Sequence, residues 1–480
     1  MPKPQLPSIG DITKALFDHT GVLPQKDDDS TVIGDEKTKK KIQTQLRRLA
    51  KEESELEKNL TSLLELLADL IFEATNNSKI TCACMASVGD VLTQYLDLVR
   101  GDGTFLSKSE SVKWLIKTKL LDRIILSYQK NTLKYNVSAS NLLTPSDTYW
   151  WLPDFTSKSI QWPIAKAMNW MYSVCETNQT HFHFPDFGST DNYRLSQNLE
   201  NASRWTTGKN LPSWPSLLQN LVTSASAMET TSSQYKRTVD NDALRSFKAI
   251  LFIARFSTSI FTELEQQFGK DFIIDITMHL RRQDRRLGKV HHNLKASLSK
   301  AIESYKIRDP LVINRIWFDK TQEFWELKSI QFMQGSKSID LRFREKYKSG
   351  FNPTDIKFFL QSVEPFFLSP LLEEARENTI AMAPPLFLEL LLEGLRLRKA
   401  PNVNVEKIEQ FTQQVNKANL DSYLSWVINW IWATYFYRRE EHALALPHYS
   451  KAFQEAKYCS GQDQYLLVNQ YIESCAKSRF

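Results

Sequence analysis

Ile42, Leu46, Leu49, Leu56, Leu60, Leu63, Leu67 and Leu70 recur in alternating steps of four and three, and Glu53 fills the one seam position that is not apolar. A strand repeats every two residues and cannot hold such a set on one face, whereas a helix can. The segment from Glu36 to Ala74 therefore reads as one long helix. Its seven-residue repeat suits a coiled-coil-like seam. Leu64, Leu66 and Ile71 widen the stripe and favour an amphipathic helix packed on its own domain.

Helical patterns continue over Val88 to Val99 and Val112 to Tyr128, over 236–345, and over 346–480 with breaks at Pro384-Pro385 and Pro401. Alternating strand patterns are scarce, and 14 glycines are too few for the tight turns of a β-rich or Rossmann-type chain. The expected fold is all-α. A length of 480 residues exceeds one ordinary core, so the chain is expected to be multidomain. Composition shifts suggest a loosely ordered arm over 1–35 and a helical domain over 36–135. A Trp/Pro-rich domain over 136–235 and helical domains over 236–345 and 346–480 follow. In the Trp/Pro-rich part, Pro145, Pro153, Pro163 and Pro185 punctuate a stretch holding Trp150, Trp151, Trp162 and Trp170. Such tryptophans stack bases in some proteins, but as large apolar groups they suit a core fixing short elements.

The start, Met1-Pro2-Lys3-Pro4, leads into no apolar run of signal-peptide type. The longest apolar clusters, at Phe387-Leu388 and Leu390-Leu391-Leu392, are interrupted by Glu389 and Glu393, far short of the ~20 apolar residues of a membrane span. Five scattered cysteines, Cys82, Cys84, Cys175, Cys459 and Cys475, fit a reducing compartment. A cytoplasmic protein without a membrane segment is the expectation. The net charge of +6 permits an anionic partner without requiring one.

Local chemistry concentrates around residues 196–221. Asn198 reads as a helix N-cap, and Leu195, Leu199, Ala202 and Trp205 as an apolar stripe. Thr207-Gly208 reads as a helix stop, and Pro212-Ser213 as the start of a second helix continued by Leu217, Leu218 and Leu221. The stretch Trp205-Thr206-Thr207-Gly208-Lys209-Asn210-Leu211-Pro212-Ser213 resembles the latter part of a λ-repressor-like helix-turn-helix. In that family a bulky residue, a glycine, a basic residue and Pro-Ser close the recognition helix. The resemblance implies a recognition helix over about Leu199 to Thr206. It also implies that Asn201, Ser203 and Arg204 approach base edges or phosphates and that Lys209 contacts backbone phosphate. The family's upstream small residue and glycine would fall near Asn192 and Ser196.

A second signal is a basic stripe. Arg281, Arg282, Arg285, Arg286, Lys289, His292 and Lys295 fall within about half a helical turn of arc, with Leu280, Leu287 and Leu294 on another face. Such a face neutralises several phosphates and binds nucleic acid in a salt-dependent way. An acidic protein partner or plain solvation would use the same pattern. Asp284 lies within it.

Near the C-terminus, Trp432, Ala433, Phe436, Ala445, Tyr449 and Ala452 alternate large and small, with Arg438-Arg439-Glu440-Glu441 between two helical runs. Over 426–459 this resembles one tetratricopeptide repeat, a family whose stacked helix pairs form grooves for peptides. Pro447 departs from the usual pattern, and a plain helical hairpin explains the same spacing.

No Gly-rich phosphate loop, nucleophile elbow, metalloprotease or kinase signature is present. Cys82 and Cys84, or Cys175 with His181 and His183, lack the paired spacing of a zinc site. Neither catalytic residues, a metal nor a cofactor is expected. Two function classes remain. One is a non-enzymatic DNA-binding protein, a regulator or part of a nucleoprotein complex, using Asn201, Ser203, Arg204, Lys209, Arg281, Arg282, Arg285, Arg286 and Lys289. The other is a scaffold that binds protein partners or itself through its helical regions. An enzyme subunit with catalysis in a partner chain is a third.

Overall fold

The computed structural model describes residues 7–22, 44, 56–101, 112–113, 116, 120–137, 142–156, 159–184, 192–208, 210–230, 239–327, 385–456 and 463–477. Helix dominates them and the protein is all-α. Two short strands, β1 (Asp154–Phe155) and β2 (Ile160–Gln161), form a small antiparallel hairpin. The chain divides into two compact units. One comprises Ile9–Gly89 and Ile124–Ser329; the other comprises Met1–Ser8, Asp90–Arg123 and Ile330–Phe480. No helix among the described residues is long and apolar enough to cross a membrane.

The early helices are α1 (Ile9–Thr20), α2 (Leu56–Thr75), α3 (Ser78–Gly101) and α4 (Leu121–Lys134). After the strands come α5 (Pro163–Val174), α6 (Gln179–His183), α7 (Asn192–Trp205) and α8 (Trp214–Thr230). The long pair α9 (Asn241–Phe268) and α10 (Lys270–Ser304) is followed by α11 over residues 310–327. In the C-terminal region stand α12 (Pro385–Lys399), α13 (Val405–Lys417), α14 (Asp421–Arg438), α15 (His442–Ala456) and α16 (Asp463–Lys477).

The unit holding α9 is built around that helix. The Asp240 carboxylate accepts from the Ala243 N–H at 2.6 Å and caps it. Phe247, Ile250, Leu251, Phe252 and Phe261 fill the surrounding core. Ala249, Ala254 and Thr258 are fully buried and small, and α5 packs on this helix, with Trp170 edge-on to Phe247. Trp162 offers α5 no side-chain cap, so Thr258 Oγ1 accepts the Ile164 N–H at 3.0 Å instead.

Residues 9–20, expected within a loosely ordered arm, form a helix. Ile9, Thr13, Phe17 and Thr20 recur in steps of four, four and three and are buried as α1 packs on α9. The Pro, Gly and Asp content of 1–35 masked that periodicity. Arg255, itself buried, ties the end of α1 to the start of α8 by donating to the carbonyls of His19 at 2.6 Å and Pro212 at 2.7 Å. Gly21 sits beside it at φ +67°, where a Cβ would lie 1.9 Å from the guanidinium carbon. Only glycine fits that turn.

Of the expected 36–74 helix, α2 and Thr44 are described, and the remainder lies outside the described residues. Leu63, Leu67, Ile71 and Ala74 are its buried positions. The contact row thus moves from Leu70 to Ile71, as a straight 3.6-residue helix requires, and α2 packs on α9 within its own unit.

In the C-terminal region, α14 and α15 are joined by a short turn in which Glu440 has φ +63°. They run antiparallel: Ser425 Oγ donates to Glu455 at 2.7 Å, and Tyr437 packs edge-on to His442. Ala433, Ala445, Ala452 and Ala456 are fully buried, which lets the two helices approach closely around Tyr449 and Trp430. The turn runs from Arg439 to Glu441, one residue shorter than expected because Arg438 closes α14, and Pro447 lies inside α15.

Candidate nucleic-acid interface

The resemblance to a recognition helix falls on α7, which starts earlier than the sequence suggested. It is one uninterrupted helix from Asn192 to Trp205, so Asn192 and Ser196 lie inside it. Asn198 is not an N-cap. It is an interior residue, 8% exposed, whose Nδ2 lies 3.4 Å from Ser224 Oγ and whose carbonyl accepts from Asn220 Nδ2 at 3.1 Å. Asparagine satisfies either role, and burial against α8 decides between them. Leu195, Ala202 and Trp205 form the buried stripe as expected, while Leu199 is half-buried.

The helix stops as its residues dictate. Gly208 adopts φ +72°, and a Cβ there would stand 2.5 Å from the indole of Trp162. α8 begins at Trp214, two residues later than expected from Pro212. Ser213 Oγ accepts from the Ser216 N–H at 3.3 Å in the N-cap role. Leu217 and Leu221 are buried.

The polar residues of α7 are engaged with their own fold. Ser203 Oγ accepts from Gln179 Nε2 of α6 at 2.8 Å and donates to the Leu199 carbonyl at 3.0 Å. Arg204 pairs with Glu200 one turn earlier at 2.5 Å. Asn201 is half-buried, and Lys209 lies outside the described residues.

Behind α7 lies a polar cluster that sequence reading missed. His183 is 2% exposed. Its Nε2 is 2.8 Å from the Tyr172 hydroxyl and its Nδ1 3.0 Å from Ser224 Oγ. Burial pushes the imidazole down to about 3, with a hydrogen bond to Asn220 acting the other way. The ring is neutral and fully hydrogen-bonded, and Ser224 has no solvent access. The cluster is therefore a buried joint linking α5, α6, α7 and α8 rather than a nucleophilic site.

The basic stripe lies along α10, and its seven positions do not share one environment. Arg281 is a structural residue. It pairs with Asp154 on β1 and lies 5.3 Å from the Tyr149 ring centroid. Lys166 joins them, reaching Asp154 at 2.7 Å and Asp147 at 2.6 Å. Burial raises the Asp154 carboxyl, but hydrogen bonds from Lys166 and Arg281 outweigh it and leave the group below its ordinary value. Asp284, the acid within the stripe, is turned aside, accepting from Gln129 Nε2 at 2.9 Å and from the Tyr149 hydroxyl at 3.2 Å. Arg286 is half-buried.

The remaining cations face solvent. Arg282, Arg285, Lys289, His292 and Lys295 are exposed, and so is Lys300 further on. Arg282, Lys289 and Lys300 lie within 20° of one line along the helix, with Arg285 one step aside. From Arg282 to Lys300 the rise is about 27 Å. No exposed position of α10 between Met278 and Lys300 carries a carboxylate. Leu280 and Leu287 are buried on the opposite side and hold the helix in place, and Leu294 is half-buried.

Set beside protein-family models, curated proteins and solved structures, the chain matches none. The site therefore rests on its own chemistry. Lys300 is the stripe residue that sequence reading left out. Its spacing of 18 residues, five full turns, from Arg282 was the available signal. The separate fate of Arg281 had no local signal, because its partner lies 127 residues away.

Proposed function

We propose that the protein is a non-enzymatic nucleic-acid-binding protein, a regulator or a component of a nucleoprotein complex, which grips phosphates with the solvent face of α10. The observation that carries this reading is the row of Arg282, Arg285, Lys289 and Lys300 on a helix face free of exposed carboxylates. Guanidinium and ammonium groups along a straight helix track a phosphate backbone, and contacts of this kind position without reading sequence. DNA is the partner this predicts. In α7, Ser203 and Arg204 are exposed and lie on the segment resembling a helix-turn-helix, so they supply an accessory contact. The thiols of Cys82, Cys84 and Cys175 are free, which supports a reducing, cytoplasmic setting.

Fluorescence anisotropy with a short labelled duplex tests this at several salt concentrations. With four to five phosphates neutralised, log affinity is expected to fall against log salt with a slope of about −4. Absence of binding at the lowest salt would overturn the proposal.

The scaffold reading has one specific observation in its favour. Leu311, Val312 and Phe318 of α11 are exposed at 78%, 44% and 46%. Apolar residues gathered on one helix mark an interaction surface. Concentration-dependent self-association, measured by sedimentation and abolished by Leu311→Asp, would favour it.

A further inference from the structure

The cationic row of α10 has a gap, and a histidine stands in it. Arg282, Lys289 and Lys300 share one line, but Lys289 and Lys300 are eleven residues apart, a rise of about 16.5 Å. His292 and Lys295 lie between them, and both are exposed. His292 stands about 60° around the helix from Lys289 on one side and from Lys295 on the other, with a rise of about 4.5 Å to each. It lies within about 20° of the line through Arg285. One turn away in either direction are Gly288 and Ala296, which can neither pair with the ring nor cover it. A Cβ at Gly288 would meet nothing within 4 Å, so the approach beside His292 is open. Among the described residues the His292 side chain has no hydrogen bond or ion pair. The acids of the surrounding elements are engaged elsewhere. Asp284 of α10 accepts from Gln129 and Tyr149. On α11, whose Trp325 stacks on His291 at 6.1 Å, Asp319 pairs with Arg315 and Glu323 with Lys320. On α9, Asp242 pairs with Arg245. No ion pair links His292 to Glu326 of α11 or to any other described acid. The charged groups beside it are therefore the cations Arg285, Lys289 and Lys295. Arg285 donates its Nε to the Arg281 carbonyl at 3.1 Å. The neighbouring His291 differs: burial, and then Lys295, hold its imidazole below the ordinary value.

We propose that His292 is a proton-dependent phosphate contact, which closes the gap in the row and tightens the grip of α10 on duplex DNA as pH falls. The inference rests on the reading of α10 as the nucleic-acid-binding face. An imidazole is the side chain that changes charge between about pH 5 and 8. Neutral, it offers one N–H; protonated, it offers two and a charge, and each bond to a phosphate oxygen is roughly twice as strong. Lys289 and Lys295 oppose that charge in the free protein, and a phosphate seated between them favours it, so binding takes up a proton.

Anisotropy of the full chain with a labelled duplex, at about pH 6 and about pH 8, tests the inference. At low salt, affinity is expected to be about fourfold higher at the lower pH, and the slope of log affinity against log salt steeper by about 0.9, one further phosphate. His292→Gln is expected to bind equally at the two pH values, with the affinity that the unaltered chain shows at the higher one. His292→Lys is expected to bind equally at both as well, with the affinity shown at the lower one, because its charge is permanent over this range. His292 is exposed, so both variants should keep their melting temperature. No binding at either pH would overturn both the inference and the reading it rests on. Equal binding of the unaltered chain at the two pH values, or an undiminished pH response in His292→Gln, would overturn the inference alone.

Discussion

The two regions that carried the strongest sequence signals differ in where their polar groups go. On α7 they are used up by the fold: Asn198 is buried on Ser224 and Asn220, Ser203 is held by Gln179, and Arg204 is paired with Glu200. On α10, Arg281 and Asp284 anchor the helix to the β1 region, and the cations beyond them stand in water. A motif-like spacing thus marks a structural joint, while the run of arginines is the surface with charge to spare. A side chain already satisfied inside its own unit must break a contact before it can bind anything else.

The largest expected effect concerns the joint behind α7. Burial holds His183 down to about 3, against an ordinary value of 6.5. A lowered value means that the unfolded chain binds the proton more readily. The contribution to stability is complete above pH 6.5 and is lost as pH falls toward 3, about 5 kcal/mol in total. Urea midpoints measured across that range are expected to fall accordingly. In His183→Gln that part of the slope should vanish, leaving the losses from His19, His291 and His448, whose values burial also lowers, and from the lowered carboxyls of Asp147 and Asp154. An unchanged slope would show that α7 is not held by a neutral buried imidazole.

Next comes the α10 face. Replacing Arg282, Arg285 and Lys289 with alanine removes three phosphate contacts. Affinity for duplex DNA is expected to drop about 100-fold at low salt, and the salt slope to become shallower by about 2.7. Melting temperature should barely move, since these side chains are exposed. Arg281→Ala is expected to behave in the opposite way. Losing the Asp154 pair and the contact with Tyr149 costs about 1–2 kcal/mol of stability, with little change in the salt slope. If Arg281→Ala instead matched the triple variant in binding, the division of the stripe into anchor and grip would be wrong.

How far the sequence foretold this depends on the distance between partners. Helices were legible from periodicity alone, as in the buried row Leu280 and Leu287 or the small residues Ala433, Ala445 and Ala452. The stop at Gly208 was legible because the need for positive φ is local. Asn198 was misread because asparagine suits a cap and a buried bridge equally, and its partners Asn220 and Ser224 stand more than twenty residues away. His183 joins Tyr172 and Ser224 from either side along the chain, and no short pattern announces that. The contact between Arg438 and the end of α12 escaped for the same reason. Arg438 reaches the Ala400 carbonyl only because α12 ends against α14. Periodicity reports which face of a helix is apolar; it does not report which polar residue on the other face has found a partner.

The smallest effect is the sharpest test of the contrast. Arg204 and Glu200 have side chains 60% and 61% exposed, so their i,i+4 pair contributes only about 0.2–0.5 kcal/mol to the helix. Moving Arg204 onto a phosphate would therefore be cheap in energy, yet it would leave Glu200 beside the same phosphate. That carboxylate repels the backbone as the arginine attracts it, and the two nearly cancel. Arg204→Ala is accordingly expected to change DNA affinity by less than about twofold, within the range of exposed surface charges. Glu200→Gln should strengthen binding by a similar small factor, because it frees the arginine and removes the repulsion. If Arg204→Ala weakened binding as much as the triple α10 variant, and Glu200→Gln strengthened it correspondingly, α7 would be the reading helix after all and α10 its support.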